Sequence, residues 1–405
     1  MRFRACLALA ATCCVSAQTR LSLRQAVERA LESHPLLPVA EQRTQAAAGH
    51  RMQAGLSPNP RLVLQSENTR PYGNPSFSYL HDTDNFAYLQ NTFETAGRRA
   101  HRIDLADRSV RRTQVETDLL RQQIAARVAA AYWSAAGTRR IHALLLEDGV
   151  TMRSMVDYHA VRVREGAMAE ADLIRVRLEA QRLSVSANLA RLESERARIH
   201  LLREMGQTEF PPLDLTDGIE REPEAPPVLV DGALAARAEM RIARAAIEQA
   251  QANQRLQAAN ARPNVDVLFG YKRTAGLDTM LGGVQVDLPF ANRNQGNIAS
   301  ASADFRLAQS NLAATEALIR AEIAAAETEY AIRRNEIAEA LKPTLEQAAE
   351  TYRIAEAAYK AGGTDLLRLL DAQRLRTESQ IAYARSLTEL RQSEVSLRVA
   401  LGMAP

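Results

Sequence analysis

Val265-Asp266-Val267-Leu268-Phe269-Gly270-Tyr271-Lys272, followed after a turn at Thr274-Ala275-Gly276-Leu277-Asp278 by Met280-Leu281-Gly282-Gly283-Val284-Gln285-Val286-Asp287-Leu288, is the stretch on which the fold turns. Val265, Val267, Phe269 and Tyr271 fall on one face, and Asp266, Gly270 and Lys272 on the other. In the second half Met280, Gly282, Val284, Val286 and Leu288 share a face against Gln285 and Asp287. Period-two alternation over about 10 residues is a strand pattern, and that length suits a tilted membrane strand. Pro289 closes the second strand, since it cannot donate to a ladder. A soluble hairpin carries the same alternation, so the pattern alone leaves both readings open.

A weaker counterpart lies upstream. Leu62 and Leu64 alternate after Pro58-Asn59-Pro60, and 86–93 reads as the partner strand. The turn-rich loop Arg70-Pro71-Tyr72-Gly73-Asn74-Pro75 separates them and is expected to face outward. Two hairpins make four strands. Lipid cannot satisfy an exposed sheet edge, and the smallest membrane barrels have about eight strands. If these strands sit in a membrane, one chain cannot close the barrel, and several copies must share it.

The hairpins belong to a larger repeat. Ala180-Gln181-Arg182-Leu183 recurs as Ala372-Gln373-Arg374-Leu375, Gly166 matches Gly362, Arg98 with Ile103 matches Arg293 with Ile298, and 201–206 matches 397–402. The order is kept throughout, so the chain divides into a first copy at 18–206, a join at 207–230 and a second copy at 231–405. Pro211-Pro212, Pro223 and Pro226-Pro227 make the join an extended linker. Each copy reads as a helix (about 22–55 and 231–261), a β region, a very long helix, a Gly-marked turn and a return helix. Ser22 is the expected N-cap of the first helix.

Between Gly97 and Val163 the chain is nearly free of helix breakers. A helix of that length extends about 100 Å at about 1.5 Å per residue, so the molecule must be elongated. Asn292 to Ala361 is the matching stretch. Gly149 and Pro343 correspond, which predicts a break in both long helices at the same height. The alternating charges and small residues of 121–136 and 313–339 suit close helix packing with wet outer faces.

Composition agrees with this shape. The 405 residues are 46% hydrophobic but only 5% aromatic, a balance that suits long helices better than a compact α/β core. Residues 1–17 read as a secretory signal, with Arg2 and Arg4 ahead of a short apolar run and Val15-Ser16-Ala17 at the cleavage site. All three cysteines, Cys6, Cys13 and Cys14, lie in that segment, so the processed chain has no disulfide and no thiolate ligand. Lipid attachment through Cys13 or Cys14 is the alternative processing. Removing Arg2 and Arg4 from the 51 basic residues leaves 49 against 48 acidic ones, a balance with no case for nucleic acid. The seven histidines are scattered and read as surface or helix-packing residues. Met152, Met155 and Met168, near the first turn, read as packing rather than soft-metal ligands. No phosphate loop, metal set or catalytic constellation emerges, so the chain reads as a non-enzyme without a cofactor.

Export signal, duplication, strand pairs and long hairpins together resemble the TolC-type outer-membrane efflux channel family, including its heavy-metal efflux branch. The most recognisable segment is Tyr359-Lys360-Ala361-Gly362-Gly363-Thr364-Asp365-Leu366-Leu367-Arg368-Leu369-Leu370-Asp371-Ala372-Gln373-Arg374, which is similar to the family's second helical turn and last helix. Leu288-Pro289-Phe290-Ala291-Asn292-Arg293-Asn294-Gln295-Gly296 is similar to its strand-to-helix junction, and Ser57-Pro58-Asn59-Pro60 to its strand start. The resemblance implies a mainly helical fold with membrane strands: a homotrimer with a shared 12-stranded barrel in outer-membrane lipid and a helical tunnel in the periplasm. It implies tips at Gly166, Gly362 and Gly363 that meet a periplasmic adaptor and an inner-membrane pump. It places Asp172, Tyr359 and Asp371 at the periplasmic aperture. The expected lipid-facing residues are Val265, Val267, Phe269, Val284 and Val286. Thr364 and Arg368 depart from the family's charge pattern at the aperture, and Glu165 and Ala361 replace the apolar residue before each tip glycine. A duct for one-step protein secretion, and a periplasmic coiled-coil scaffold without a pore, are the alternative readings.

Overall fold

The computed structural model describes residues 19–69, 72, 75–221 and 226–405. The expected leader with its cysteines lies outside them, as do Arg70, Pro71, Gly73 and Asn74 of the outward loop and Pro223 of the join. In chain order the elements are β1 (Thr19–Leu21), α1 (Leu23–Ser33), α2 (Leu36–Ala54), β2 (Arg61–Glu67), the short α3 (Tyr79–Asp82), β3 (Asp84–Phe93), α4 (Arg98–Arg164), α5 (Glu170–Glu204), β4 (Leu213–Leu215), α6 (Val230–Ala236), α7 (Ala238–Asn260), β5 (Val265–Thr274), β6 (Leu277–Val286), α8 (Gln295–Glu336), a π turn (Ile337–Leu341), α9 (Lys342–Lys360) and α10 (Leu366–Ala400).

The long helices form because nothing stops them and because tertiary contacts hold one stripe. α4 has 67 residues, and Ile124, Val128, Ala131 and Ala135, then Ile141, Leu145, Asp148 and Met152, are buried at three- and four-residue spacing. Four helix ends share one termination. Gly166, Gly206, Gly362 and Gly402 all have φ between 71° and 76°, the left-handed geometry glycine adopts without strain. The residue after each donates its N–H to a carbonyl five residues back, as Ala167 does to Arg162 (2.9 Å) and Gly363 to Ala358 (2.8 Å).

The leading helix of each copy differs from expectation. Instead of one helix over 22–55, the chain breaks between α1 and α2 at His34-Pro35. The residue before a proline is pushed out of the helical region, and His34 is extended at ψ 128°. The second copy breaks likewise at Arg237 between α6 and α7. These breaks are seats for the returning helices. A Cβ at Gly206 would lie 2.5 Å from Pro35 Cδ, and one at Gly402 would lie 3.0 Å from Ala236 Cβ. Ser22 caps α1 as expected: its hydroxyl accepts from the Gln25 N–H, and the Gln25 side chain accepts from the Ser22 N–H.

The expected break at Gly149 is absent, since α4 runs through it. Glycine inside a helix costs only about 1 kcal/mol relative to alanine, and buried Leu144, Leu145, Asp148 and Met152 hold the flanking turns. In the second copy the interruption is real but gentle. Pro343 has no N–H, and its ring opposes the carbonyl four residues back. The π turn absorbs this by widening one turn, with the Lys342 N–H reaching Ile337 O.

The two hairpins join into one antiparallel sheet of order β2-β3-β5-β6. Phe93 opposes Val265 and Asn85 opposes Arg273 across the central pair. Within the join three residues form a strand: β4 lies parallel to β1, Leu21 opposite Leu215. The Tyr132 hydroxyl donates to Leu21 O (3.0 Å) and accepts from the Asp217 N–H (3.1 Å), stitching this small sheet to α4. Burial pushes the Tyr132 phenol up to about 12, so it stays protonated and can serve both bonds. The main hydrophobic core surrounds it, with Ile124, Val128, Leu201, Leu397, Ile319 and Ile323.

α4 and α10 meet along an intimate seam. Gly137 leaves no room for a side chain, because Thr388 occupies the space a Cβ would take. Farther toward the tips, buried Asp148 accepts from Arg376 (2.6 Å) and from the Thr377 hydroxyl. The Arg376 guanidinium lies 4.2 Å from the centre of the Tyr352 ring, tying α9 into the same cluster.

Helix propensity favours alanine at Gly137 by about 1 kcal/mol, whereas the Thr388 contact opposes it by about 1–3 kcal/mol. Gly137→Ala is expected to lower the thermal midpoint in detergent, and Gly137→Ala with Thr388→Gly to recover part of the loss. A raised midpoint for the single variant would show that the seam yields. Asp148→Leu strands the mostly covered Arg376 guanidinium and is expected to cost about 2–4 kcal/mol in denaturant unfolding. Asp148→Leu with Arg376→Met should regain most of it; a double variant no better than the single would remove the pair from the seam's energetics.

Candidate functional site: hairpin tips and outward sheet face

The tips are where the two long hairpins come closest in function-bearing residues. Tyr359, in the last turn of α9, is partly buried between α4 and α10 beside Met155, Leu369 and Tyr352. Its hydroxyl lies 2.7 Å from Nε2 of His159 on α4 and 3.9 Å from Met168 Sδ beyond the first tip. His159 is 1% exposed. Its Nδ1 lies 2.7 Å from Met155 O. A carbonyl only accepts, so Nδ1 carries a proton; in the neutral imidazole Nε2 then accepts from the Tyr359 hydroxyl. Burial raises the Tyr359 phenol above its ordinary value, with Tyr158 and Asp172 adding to the rise and Arg162 opposing it. The hydroxyl therefore keeps the proton it donates. The rings stack with centroids 5.8 Å apart.

The other expected aperture residues sit close by in sequence but are not part of this cluster's hydrogen bonding. Asp172 is half-exposed in the first turn of α5, where a carboxylate also favours the helix dipole. Asp371 is exposed on α10. The cap of α10 is Asp365, whose Oδ1 accepts from the Arg368 N–H at 2.9 Å. Gly166, Gly362 and Gly363 form the exposed turns.

His159, Asp148 and Arg376 were not singled out from the sequence. The signal was present: Asp148, Met152, Met155 and His159 follow the three- and four-residue spacing of the buried α4 stripe. A polar residue on such a stripe needs a partner. Which partner it finds depends on a helix some 200 residues away.

The sheet places most of its apolar residues on one face, although Val63, Phe86, Leu268 and Leu281 lie on the other. Val265 opposes Val286, Val267 opposes Val284, and Phe269 opposes Gly282. β3 adds Leu89 and Phe93 to that face, and β2 adds Leu62 and Leu64. Phe269 is 61% exposed, Val284 68% and Leu64 73%, so the face is bare in the single chain. The opposite face carries Asp266, which accepts from Gln90 (3.0 Å) and from Thr92 (2.5 Å), and Lys272, 5.2 Å from the Phe86 ring centre. Gly270 leaves no room for a side chain, because Tyr88 Cα and Cβ and Ala87 O occupy the space a Cβ would take. Among the described residues no helix is long and apolar enough to cross a membrane, and no group of three or more His, Cys, Asp or Glu side chains could hold a metal ion.

The comparisons agree with this geometry. The outer membrane efflux protein family matches residues 26–207 and 229–403. The chain is 26% identical over 388 residues to the cobalt-zinc-cadmium resistance protein CzcC of Cupriavidus metallidurans, covering 94% of this chain and 90% of that protein. Among solved structures it is similar to the outer membrane protein VceC of Vibrio cholerae (TM-score 0.74, 21% identity, 94% and 96% of the two chains covered). It is also similar to the open MtrE outer membrane channel of Neisseria gonorrhoeae (TM-score 0.76, 19% identity, 94% and 89% covered). The chain belongs to the outer membrane efflux protein family: it is an outer-membrane efflux duct whose helices extend into the periplasm.

Proposed function

We propose that three copies of this chain close a 12-stranded barrel in the outer membrane over a 12-helix tunnel, a passive exit for cargo delivered by an inner-membrane pump through a periplasmic adaptor. The duct performs no chemistry. The observation that carries this reading is the four-stranded sheet with one bare apolar face and two open edges, β2 and β6. A periplasmic scaffold has no use for such a face. Val265, Val267, Phe269, Val284 and Val286 then face lipid.

The helices support ring closure. α5 packs chiefly on α4 and leaves Ile174, Leu178, Val185, Leu189, Leu192 and Ile199 exposed at heptad-like spacing. α8 leaves Leu307, Leu318 and Ile332 exposed with Ala314, Ala321 and Ala325 between them, and Ile354 continues beyond the π turn. If 18–206 and 231–405 are two copies of one unit, α4 answers to α8–α9 and α5 to α10. The α4–α10 seam inside the chain then has a counterpart between α8–α9 of one copy and α5 of the next. Such a head-to-tail contact repeats into a ring.

In this reading Gly166, Gly362 and Gly363 meet the adaptor, and Asp172, Tyr359 and Asp371 line the aperture. Three copies of each aspartate would make acidic rings that favour cations, which suits metal-ion cargo of the kind named for the Cupriavidus metallidurans relative.

Val284→Arg places a charge on the lipid face at a cost of about 2–4 kcal/mol per copy near the bilayer midplane. It is expected to abolish the heat-sensitive trimer extracted from outer membranes, while Gln285→Arg on the opposite face leaves it intact; normal trimer from Val284→Arg would reverse the faces. Asp371→Ala is expected to lower cation preference in single-channel recordings, and unchanged selectivity would remove Asp371 from the constriction.

A further inference from the structure

The crossings between sheet and helices carry a collar of arginines at the end of the apolar sheet face. Arg98 and Arg99 open α4 just after β3, Arg262 lies between α7 and β5, and Arg293 lies between β6 and α8. Arg99, Arg262 and Arg293 are exposed and Arg98 is half-buried. None of the four pairs with a carboxylate among the described residues; the ion pairs of this region belong to Arg51, Arg102, Arg108 and Arg255. Three of the four are braced by backbone carbonyls instead. Arg98 Nη2 donates to Arg262 O, Arg99 Nε to Gly55 O (2.7 Å) and Arg293 Nε to Pro289 O (3.3 Å). One nitrogen of each guanidinium is thereby held, and the other N–H groups have no partner among the described residues. We propose that this collar binds the phosphate headgroups of anionic phospholipid in the periplasmic leaflet of the outer membrane. It rests on the reading that Val265, Val267, Phe269, Val284 and Val286 face lipid.

The charge balance calls for an anion. Among the carboxylates of the same segments, Glu94 is held by Arg102 (2.5 Å) and Asp104 by Arg108 (3.3 Å). Asp266 accepts from Gln90 (3.0 Å) and Thr92 (2.5 Å). Arg51 is paired with Asp107 (2.9 Å), and His50 and His101 add no negative charge. Only Asp287 stands without a partner among the described residues, one carboxylate against four arginines. α4 and α8 also begin at this level without a capping side chain, so the positive ends of two long helices add to the field.

The setting calls for a lipid rather than a soluble anion. Phe93 and Val265, paired across β3 and β5, end the apolar face here. Beyond Val286 the chain continues through Leu288, 69% exposed, and Phe290, 79% exposed. The carbonyl that braces Arg293 belongs to Pro289, between those two residues. The carbonyl that braces Arg99 belongs to Gly55, beside exposed Leu56. Cations and bare apolar side chains therefore share one rim. An acidic protein or a nucleic acid would satisfy the charges and leave the apolar residues wet. A phospholipid satisfies both, with acyl chains against the apolar face and phosphate at the guanidinium forks, which match two phosphate oxygens at once. Basic residues beside an anionic leaflet attract it only within about a Debye length, and the collar meets that condition because it adjoins the lipid face.

The test reconstitutes the full-length trimer into vesicles of phosphatidylcholine and phosphatidylglycerol in equal amounts. The protein is re-extracted in mild detergent, and the lipids that stay bound are counted by native mass spectrometry. Wild type is expected to retain anionic phosphatidylglycerol severalfold over zwitterionic phosphatidylcholine. Arg99→Gln with Arg293→Gln should bring that ratio close to unity, and Arg99→Lys with Arg293→Lys should keep most of it. Equal retention of the two lipids by wild type, or an enrichment that the glutamine pair leaves unchanged, overturns the proposal. Inorganic phosphate replacing chloride at constant ionic strength should leave the enrichment intact; if phosphate removes it, the collar is a site for the free anion and the lipid assignment fails. Should the glutamine pair not trimerise, Arg293→Gln alone carries the comparison, since Arg293 lies outside the helices and strands and should by itself lower the ratio. A wild-type trimer that enters the vesicles without preferring either lipid leaves the lipid-face reading standing and sinks only the collar. A chain that never enters them defeats that reading and this proposal with it.

Discussion

Every backbone N–H and C=O has to find a partner, and in this chain the helices and the sheet meet that demand in different ways. A 67-residue helix satisfies its own groups along its length and leaves only its ends to be capped. The four glycine-terminated ends supply those caps with the same turn. A four-stranded sheet cannot do the same, because β2 and β6 each present one bare edge. Water can cover an edge, but lipid cannot. The apolar face of the sheet and its open edges therefore make opposite demands, and both are met only when the edges find other strands.

The helical body shows a related asymmetry. Inside the chain, the α4–α10 seam is specific: glycine against threonine, and a buried aspartate held by an arginine and a hydroxyl. Paired buried charges contribute little net stability but strongly disfavour any other register, since a slip would strand a charge. The outer flanks of α5 and α8 carry apolar and small residues at heptad-like spacing without charge partners. Such surfaces depend on burial rather than on one geometry, and they tolerate sliding better than a seam with a buried ion pair does.

The tip cluster combines both kinds of contact. Met155, Tyr352 and Leu369 pack around Tyr359 without directional preference, while the His159–Tyr359 bond fixes where the phenol points. The bond crosses between helices whose residues are separated by 200 positions. α9 begins directly after the π turn at Ile337–Leu341.

Much of the architecture was legible in the residues. The strand alternation at 265–288, the length of α4 and the Gly-marked turns all follow from local chemistry: side-chain period, the scarcity of breakers, and the positive φ that glycine accepts. The break at His34-Pro35 has a local cause in Pro35, but the break at Arg237 and the continuity of α4 through Gly149 were not legible, because both are decided by what packs there. A proline or glycine shifts a local balance by about 1–3 kcal/mol, and a returning helix end or a buried stripe can outweigh or exploit that. The same holds for the tip cluster. Tyr359, Asp172 and Asp371 could be placed near the tips from sequence position, but the partners of Asp148 and Tyr359 lie on helices hundreds of residues away. Sequence by itself determined where this chain is helical, where it is extended and which strand faces are apolar, since those depend on neighbours within a few residues. Only tertiary structure decided which polar groups share a buried site, since burying them requires contacts that no local pattern encodes.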